Sequence, residues 1–373
     1  MTDSVNQASK NKTVLMMAGG TGGHVFPALA VADALRADGW NAEWLGTAAG
    51  IEKDLVPANN IPLHTIAIKG LRGKGVAGLV LAPFKVIRAV LQAKAIIKRI
   101  NPDVVVGFGG YVTGPGGVAA RMLGIPLVVH EQNARAGMTN KLLSRFADCV
   151  MQAFPGALEN ALTTGNPVRS DVVALPDPQE RYLQRMNADT DNGAGPLNVL
   201  IIGGSQGAVA VNNAVFAAMD TLPADERPNL RHQAGKNNYE KVSADYKNAG
   251  IKADVLPFIA DMAEAYSWAD LLVCRAGALT VSEVAAAGCA AIFIPLPSAV
   301  DDHQTANARY LSDHKAAILC PQSDLTPEWL AEQWLSYSKE RKELADIAGR
   351  ARSLAMTDAA EKVAQQVKRF ARD

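Results

Sequence analysis

The chain has 373 residues, 49% of them hydrophobic and 20% charged, with a formal net charge of zero. That length suits two domains with cores of ordinary size. The charge balance gives no global case for a nucleic-acid partner, and no apolar run approaches the ~20 residues a spanning helix needs.

Val14 to Ala18 reads as a buried parallel strand, followed by a glycine-rich loop, Gly19-Gly20-Thr21-Gly22-Gly23-His24. Phe26 to Ala37 is then expected as a helix, with Pro27 in its first turn and Gly39 just past its end. Asn41 to Leu45 and Pro62 to Ile68 are further strands, and Ala89 to Ile100 is a helix stopped by Asn101-Pro102. Asp103 to Val106 is a strand that runs into a second loop, Gly107 to Gly117, with six glycines in eleven residues. Pro126 to His130 is another strand, ending in His130-Glu131-Gln132-Asn133.

The same rhythm restarts after Pro176 to Pro196, a polar, proline- and glycine-containing stretch expected as a surface connection. Strands are expected at Leu197 to Ile202, Leu230 to Gln233, Asp254 to Phe258, Leu271 to Cys274, Ala291 to Pro295 and Ala317 to Leu319. A third glycine loop, Gly203 to Ala208, follows the first of these. Strands alternating with helices argue for doubly wound parallel sheets. Near the end, Asp358 and Glu361 suggest a capping box ahead of a last helix with Val363, Val367 and Phe370 on one stripe. A break at Met356-Thr357 is where the chain would cross back to the first domain.

A glycine turn between a strand and a helix presents free backbone N–H groups at the positive end of the helix dipole, which favours phosphate. Such loops in both halves suggest two α/β domains facing a diphosphate-bearing substrate. A dehydrogenase fingerprint fits poorly: Val25 stands three residues after Gly22, and the acid Glu43 lies inside a strand. No GxxxxGK[ST] motif occurs, which excludes a P-loop ATPase. His24 stands at the mouth of a helix, where the dipole favours a neutral imidazole, so it is either a general base or a structural histidine. Glu283, in Cys274-Arg-Ala-Gly-Ala-Leu-Thr-Val-Ser-Glu283, either accepts hydrogen bonds from ribose hydroxyls or stabilises its helix N-terminus. Gly165-Asn-Pro-Val-Arg169 adds a rigid turn with an arginine suited to diphosphate or hydroxyls. Asp301-Asp-His-Gln304 follows a proline-rich loop and suits sugar hydroxyls. Asp189-Thr-Asp191 matches a metal-binding DxD by letter alone, in a linker with no strand before it, so no metal and no cofactor are expected.

Cys149, Cys274, Cys289 and Cys320 form no CxxC pair and read as buried reduced thiols. Met1 to Lys12 is polar and lacks a signal-peptide apolar region, so the chain is expected in the cytoplasm, meeting membrane only from the surface. Lys69 to Arg99 holds eight basic residues and no acidic one, around Leu79, Phe84 and Ile87. It reads either as a solvated helix face beside a core stripe or as a patch for an anionic membrane, with Leu79, Phe84, Lys85 and Arg88 at its centre.

The ordered set GGTGGHVFPALAVA, GLRGKG, GFGGYVTGPGG, HEQN, MQAFPGA, GNPVR, GGSQGA, CRAGALTVSE and DDHQTANA resembles the bacterial UDP-N-acetylglucosamine:N-acetylmuramyl-(pentapeptide) pyrophosphoryl-undecaprenol N-acetylglucosaminyltransferases, the MurG type, from about Val14 to Val367. The resemblance implies a GT-B fold, two Rossmann-like doubly wound domains with a cleft between them. It implies residues 1–168 as an acceptor- and membrane-binding domain, with a helix over 357–373 packing back on it. Residues 169–356 would bind UDP-GlcNAc. The implied reaction is an inverting, metal-independent transfer of GlcNAc to O4 of the MurNAc of lipid I, giving lipid II, at the cytoplasmic face of the inner membrane beside other cell-wall synthesis proteins.

Carried over by position, His24 would be the base. Ile259 would meet uracil through its backbone and Glu283 would hold the ribose. Ala278, Leu279, Thr280, Val281, Ser282 and Ser205 would meet the nucleotide and diphosphate, and Gln304 the sugar, with His303 and Asn307 nearby. Thr21, Gly22, Gly23, Asn133 and Arg169 would reach the donor sugar from the first domain. Gly109, Gly110 and Tyr111 would meet the acceptor and its diphosphate. The chain departs from the family at Ala134-Arg135 and in the composition of Asn187 to Gly195. A glycolipid synthase, or a UDP-GlcNAc epimerase or hydrolase of the same fold, is the alternative.

Overall fold

The computed structural model describes residues 11–68, 82–188, 195–204 and 207–372. The chain forms two compact units, one from Met1–Gln132, Ala136–Pro167 and Asp358–Asp373, the other from Asn133–Arg135 and Val168–Thr357.

The first unit holds β1 (Thr13–Ala18), β2 (Asn41–Gly46), β3 (Leu63–Thr65), β4 (Val104–Gly109), β5 (Leu127–Glu131), β6 (Cys149–Gln152) and β7 (Leu162–Thr163). They form one parallel sheet in the order β3-β2-β1-β4-β5-β6-β7. Successive strand residues face opposite sides, so a sheet covered on both faces needs continuous apolar strands. Val14, Met16 and Ala18 of β1 pack into one core with the helix Gly22–Ala37, while Leu15 and Met17 pack into the other with Ala89, Ala93 and Ile97. Helix Ala359–Phe370 adds Val363, Ala364 and Val367 to the first of these cores.

The second unit holds β8 (Asn198–Ile202), β9 (Asn229–Gln233), β10 (Asp254–Leu256), β11 (Leu271–Cys274), β12 (Ala290–Phe293) and β13 (Ile318–Leu319). These too are all parallel, in the order β10-β9-β8-β11-β12-β13. Both sheets are therefore doubly wound. In each, strand order reverses beside the unit's first strand, between β1 and β4 and between β8 and β11. Open α/β sheets bind ligands at that reversal, outside the carboxyl ends of the strands.

Four expectations need correction. The first helix starts at Gly22 rather than Phe26, because Gly22 and Gly23 take helical conformation behind an extended Thr21, and Pro27 lies inside it. The helix expected from Ala89 is described from Ala82, with Pro83 in the first turn, where its missing N–H costs nothing. Much of the expected surface connection is a helix, Pro178–Ala188. Tyr182 of that helix is buried and donates to the Asp270 carbonyl oxygen (2.6 Å), and Arg181 donates to that of Gly288 (2.7 Å). Asp358 does precede the last helix, but its side chain caps no backbone N–H and pairs instead with Lys362 (3.0 Å). All four cysteines are free and buried.

Candidate active site

In the first unit the loops after β1 and β4 press together. Gly110 has a positive φ (81°), and a Cβ there would strike the Gly19 carbonyl oxygen. A Cβ at Gly109 (φ 103°) would lie 2.9 Å from His24 Cε1. Only glycine permits both the left-handed backbone and this approach. Thr113, buried at the start of helix Thr113–Met122, ties the two strand ends: its hydroxyl lies 2.7 Å from the Gly109 carbonyl oxygen and 3.1 Å from that of Met17, and accepts from the Gly109 N–H (3.1 Å). Tyr111, beside these glycines, is 55% exposed.

His24 lies in the first turn of Gly22–Ala37, with Nδ1 2.8 Å from Gln132 Oε1 at the end of β5. Gln132 Nε2 in turn lies 2.9 Å from the His130 carbonyl oxygen and 3.1 Å from His130 Nδ1. His130 Nε2 meets the Gly165 carbonyl oxygen at 2.9 Å. Burial pushes the His130 imidazole down to about 4, so it is neutral near pH 7. Glu131 serves its own unit, accepting from the Gly137 N–H (3.0 Å) and Asn140 Nδ2 (2.9 Å). Thr21 precedes this helix in extended conformation, and Gly22 and Gly23 form its first residues where loop was expected.

In the second unit the helix Ala278–Ala287 begins just past β11, capped by an extended Gly277. Its N-terminal residues Ala278, Leu279, Thr280, Val281 and Ser282 lead to Glu283, which is buried. Glu283 Oε1 accepts from Arg169 Nη2 (2.8 Å) and Nε (3.1 Å), and Oε2 accepts from the Tyr266 hydroxyl (2.9 Å). Burial pushes the Glu283 carboxyl above its ordinary range, against the pull of the Arg169 guanidinium and the hydrogen bonds. Asn133 and Arg169, expected to reach in from the first domain, both group with the second unit. Asn307 accepts from the Ala134 N–H (2.7 Å) and donates to the Ala276 carbonyl oxygen (3.1 Å) and Asn133 Oδ1 (3.3 Å). Asp301 and Asp302 adopt positive φ (54° and 50°) just before helix His303–Ser312, and Gln304 Oε1 accepts from the Leu296 N–H (3.0 Å). Ile259 is buried, three residues past β10.

Helix Ala82–Ile100 leaves Phe84 70%, Ile87 57% and Leu91 59% exposed, with Lys85 and Arg88 exposed among them. Leu79, Ser205, Asp189 and Asp191 lie outside the described residues. No described helix is long and apolar enough to cross a membrane.

Two doubly wound sheets of matching order, each with a glycine turn opening a helix at its reversal, define the GT-B class of glycosyltransferase. Residues 14–152 match the glycosyltransferase family 28 N-terminal domain, and residues 198–366 match its C-terminal domain. The UDP-N-acetylglucosamine--N-acetylmuramyl-(pentapeptide) pyrophosphoryl-undecaprenol N-acetylglucosamine transferase of Aeromonas hydrophila is 54% identical over 97% of this chain and 98% of its own. The enzyme of that name from Ralstonia nicotianae is 52% identical over 95% of both chains. The crystal structure of Acinetobacter baumannii MurG superposes with a TM-score of 0.79 at 45% identity, over 96% of this chain and 99% of that one. The chain belongs to glycosyltransferase family 28, and within it to the MurG-type N-acetylglucosamine transferases.

Sequence reasoning missed three residues that hold these loops and side chains. Tyr266, in helix Met262–Trp268, sits in no recognisable motif yet bonds Glu283. Gln132 was seen only as part of a polar cluster. Glu52 is wholly buried and accepts from the Gly20 N–H (3.0 Å), the Thr47 N–H (3.0 Å) and the Thr47 hydroxyl (2.7 Å). A cue was available for Glu52: an acid opening a helix just after a Gly46-Thr47 turn at a strand's carboxyl end.

Proposed function

We propose that this chain transfers GlcNAc from UDP-GlcNAc to O4 of the MurNAc of lipid I, with inversion and without a metal, forming lipid II. The observation that carries the reading is chain-length identity of 54% to a transferase named for this reaction. The chemistry of the site residues agrees with it. Donor binding is assigned to residues 169–356, with Glu283 on the ribose, Ile259 on uracil, Ala278 to Ser282 and Ser205 toward the diphosphate, and Gln304, Arg169 and Asn133 toward the sugar. Acceptor and membrane binding are assigned to residues 1–168, with Gly109, Gly110 and Tyr111 on the acceptor and the segment through Phe84, Lys85 and Arg88 on anionic lipid. That placement corresponds to the cytoplasmic face of the inner membrane.

His24 takes the proton of the acceptor hydroxyl as O4 bonds to the anomeric carbon. The bond to UDP breaks on the opposite side, its electron pair leaving with the diphosphate, so one displacement inverts the configuration. Backbone N–H groups at helix N-termini stabilise the leaving charge.

The test is UDP release from UDP-GlcNAc with a soluble lipid I analogue, with and without EDTA. Release that needs the acceptor and survives EDTA is expected. Release without acceptor points to a hydrolase or epimerase, and loss with EDTA overturns the metal-free mechanism.

A further inference from the structure

We infer that Gln132 is a positioning residue that fixes His24 as the Nδ1–H tautomer, leaving Nε2 as the basic atom. The inference rests on the transferase reading only for its kinetic consequence.

The backbone carbonyl oxygens of His130 and Gly165 can only accept hydrogen bonds. The His130 carbonyl oxygen lies 2.9 Å from one terminal atom of the Gln132 amide, so that atom is the NH2 and not the oxygen. The reversed amide would set two oxygens against each other in a buried site. The Gln132 oxygen therefore faces His24 Nδ1 at 2.8 Å, and an oxygen without a proton requires a donor there. Nδ1 carries the proton, so of the two neutral tautomers this is the one that leaves the lone pair on Nε2.

The far end of the chain is set in the same way. The Gly165 carbonyl oxygen, 2.9 Å from His130 Nε2, makes that nitrogen the donor. His130 Nδ1 is then free to accept the second Gln132 N–H at 3.1 Å. The ring of Phe108, centroid 5.4 Å away, packs against His130. Every member has a partner of the right kind: Gly165 C=O, His130, Gln132, His24. His130 and Gln132 are buried, so water does not compete for these bonds.

A side chain in free solution exchanges between imidazole tautomers, and only one presents Nε2 as a base. The relay removes that loss, as the carboxylate of a hydrolytic triad does, but with a neutral amide. Gly109 covers the Nδ1 edge of the ring; an added Cβ would lie 3.0 Å from Nδ1 and 3.5 Å from Nε2. No described residue hydrogen-bonds Nε2, which is where the acceptor proton is received.

The experiment is imidazole 15N NMR on full-length protein labelled at its six histidines, with His24 assigned by His24→Gln. Wild type is expected to show a protonated Nδ1 and an unprotonated Nε2 at His24. The reverse pattern, or an even mixture, overturns the inference, and this reading needs no Gln132 variant to fold. In Gln132→Met, which keeps the volume, His24 is expected to become a tautomer mixture while His130 keeps its protonated Nε2. There kcat falls by about 10- to 100-fold, less than the roughly 10²–10⁴-fold a positioned base supplies, with KM for UDP-GlcNAc unchanged. An unmoved His24 tautomer, or a rise in KM with kcat intact, sinks the positioning role. If wild type releases no UDP with the acceptor, the transferase reading fails instead, and the tautomer result stands apart from it.

Discussion

The two units share a strand order and place different polar residues at its reversal. In both, the sheet reverses beside its first strand and a glycine turn opens a helix there. In the first unit the acid near that turn, Glu52, is locked inward by the Gly20 and Thr47 N–H groups, and the histidine, His24, is the partly exposed group. In the second unit the arrangement is exchanged. The histidine, His232, is buried between the Asn212 side chain (3.0 Å) and the Tyr246 hydroxyl (3.1 Å), and burial pushes it down to about 4. The acid, Glu283, has the charged partner. On the proposed reading, the fold specifies where a ligand goes, and the polar residues placed at that edge assign the proton to one unit and the nucleotide to the other.

Breaking each unit's own group should separate the two roles. His24→Ala is expected to have the largest effect, lowering kcat by about 10²–10⁴-fold while leaving UDP affinity intact; steady-state kinetics beside UDP titration calorimetry checks it, and the opposite split would move the base elsewhere. Arg169→Met should cost about 3 kcal/mol of stability by leaving the buried Glu283 carboxylate without its ion. Its pH dependence has a definite sign. Burial raises the folded Glu283 above its ordinary value, so stability is complete at low pH and declines as pH rises through that value. Without Arg169 the carboxyl rises further, and the melting deficit of the variant should widen from about pH 5 to about pH 8. Glu283→Gln should weaken UDP binding by roughly 10- to 100-fold, the worth of one or two charge-assisted bonds of about 1.5–3 kcal/mol each, less any that survive. It should leave the chemical step, measured with saturating donor, much less affected than His24→Ala does.

Much of the fold was legible because parallel strands buried on both faces read as unbroken apolar runs. Leu271–Cys274 was located to the residue, and Asn198–Ile202 to within one. Helix starts were harder. Gly22 and Gly23 have poor helix propensity and read as loop, yet loop packing places them in the first turn. Helix Pro178–Ala188 was hidden by its polarity, because what it buries is Tyr182 and the Arg181 guanidinium rather than a wide apolar stripe. Glycine turns announced both candidate half-sites, since composition alone marks a close backbone approach. Their partners could not be read. Gln132 is 108 residues from His24, and Tyr266 is 17 residues before Glu283 in another helix. Such pairs exist only once β5 lies in the sheet or helix Met262–Trp268 packs beside Ala278–Ala287.

The smallest expected effect tests an exposed face of the first unit. On helix Ala82–Ile100 the buried residues Ala89, Ala93 and Ile97 recur every four positions and face the core. Phe84, Ile87 and Leu91 recur at three and four and are open to solvent, so core packing does not account for them. Exposed aromatic and aliphatic side chains beside Lys85 and Arg88 suit the boundary of an anionic bilayer. Lys85→Gln should weaken binding to phosphatidylglycerol vesicles by about 1 kcal/mol, roughly fivefold, and flatten its salt dependence. Phe84→Ser should weaken binding at every salt concentration, because burial of the ring does not depend on screening. Neither change should alter UDP release with a soluble acceptor. Co-sedimentation across a salt series separates the two terms. Salt-independent binding by wild type, or equal losses in both variants at all salts, would return this helix to the solvated-face reading.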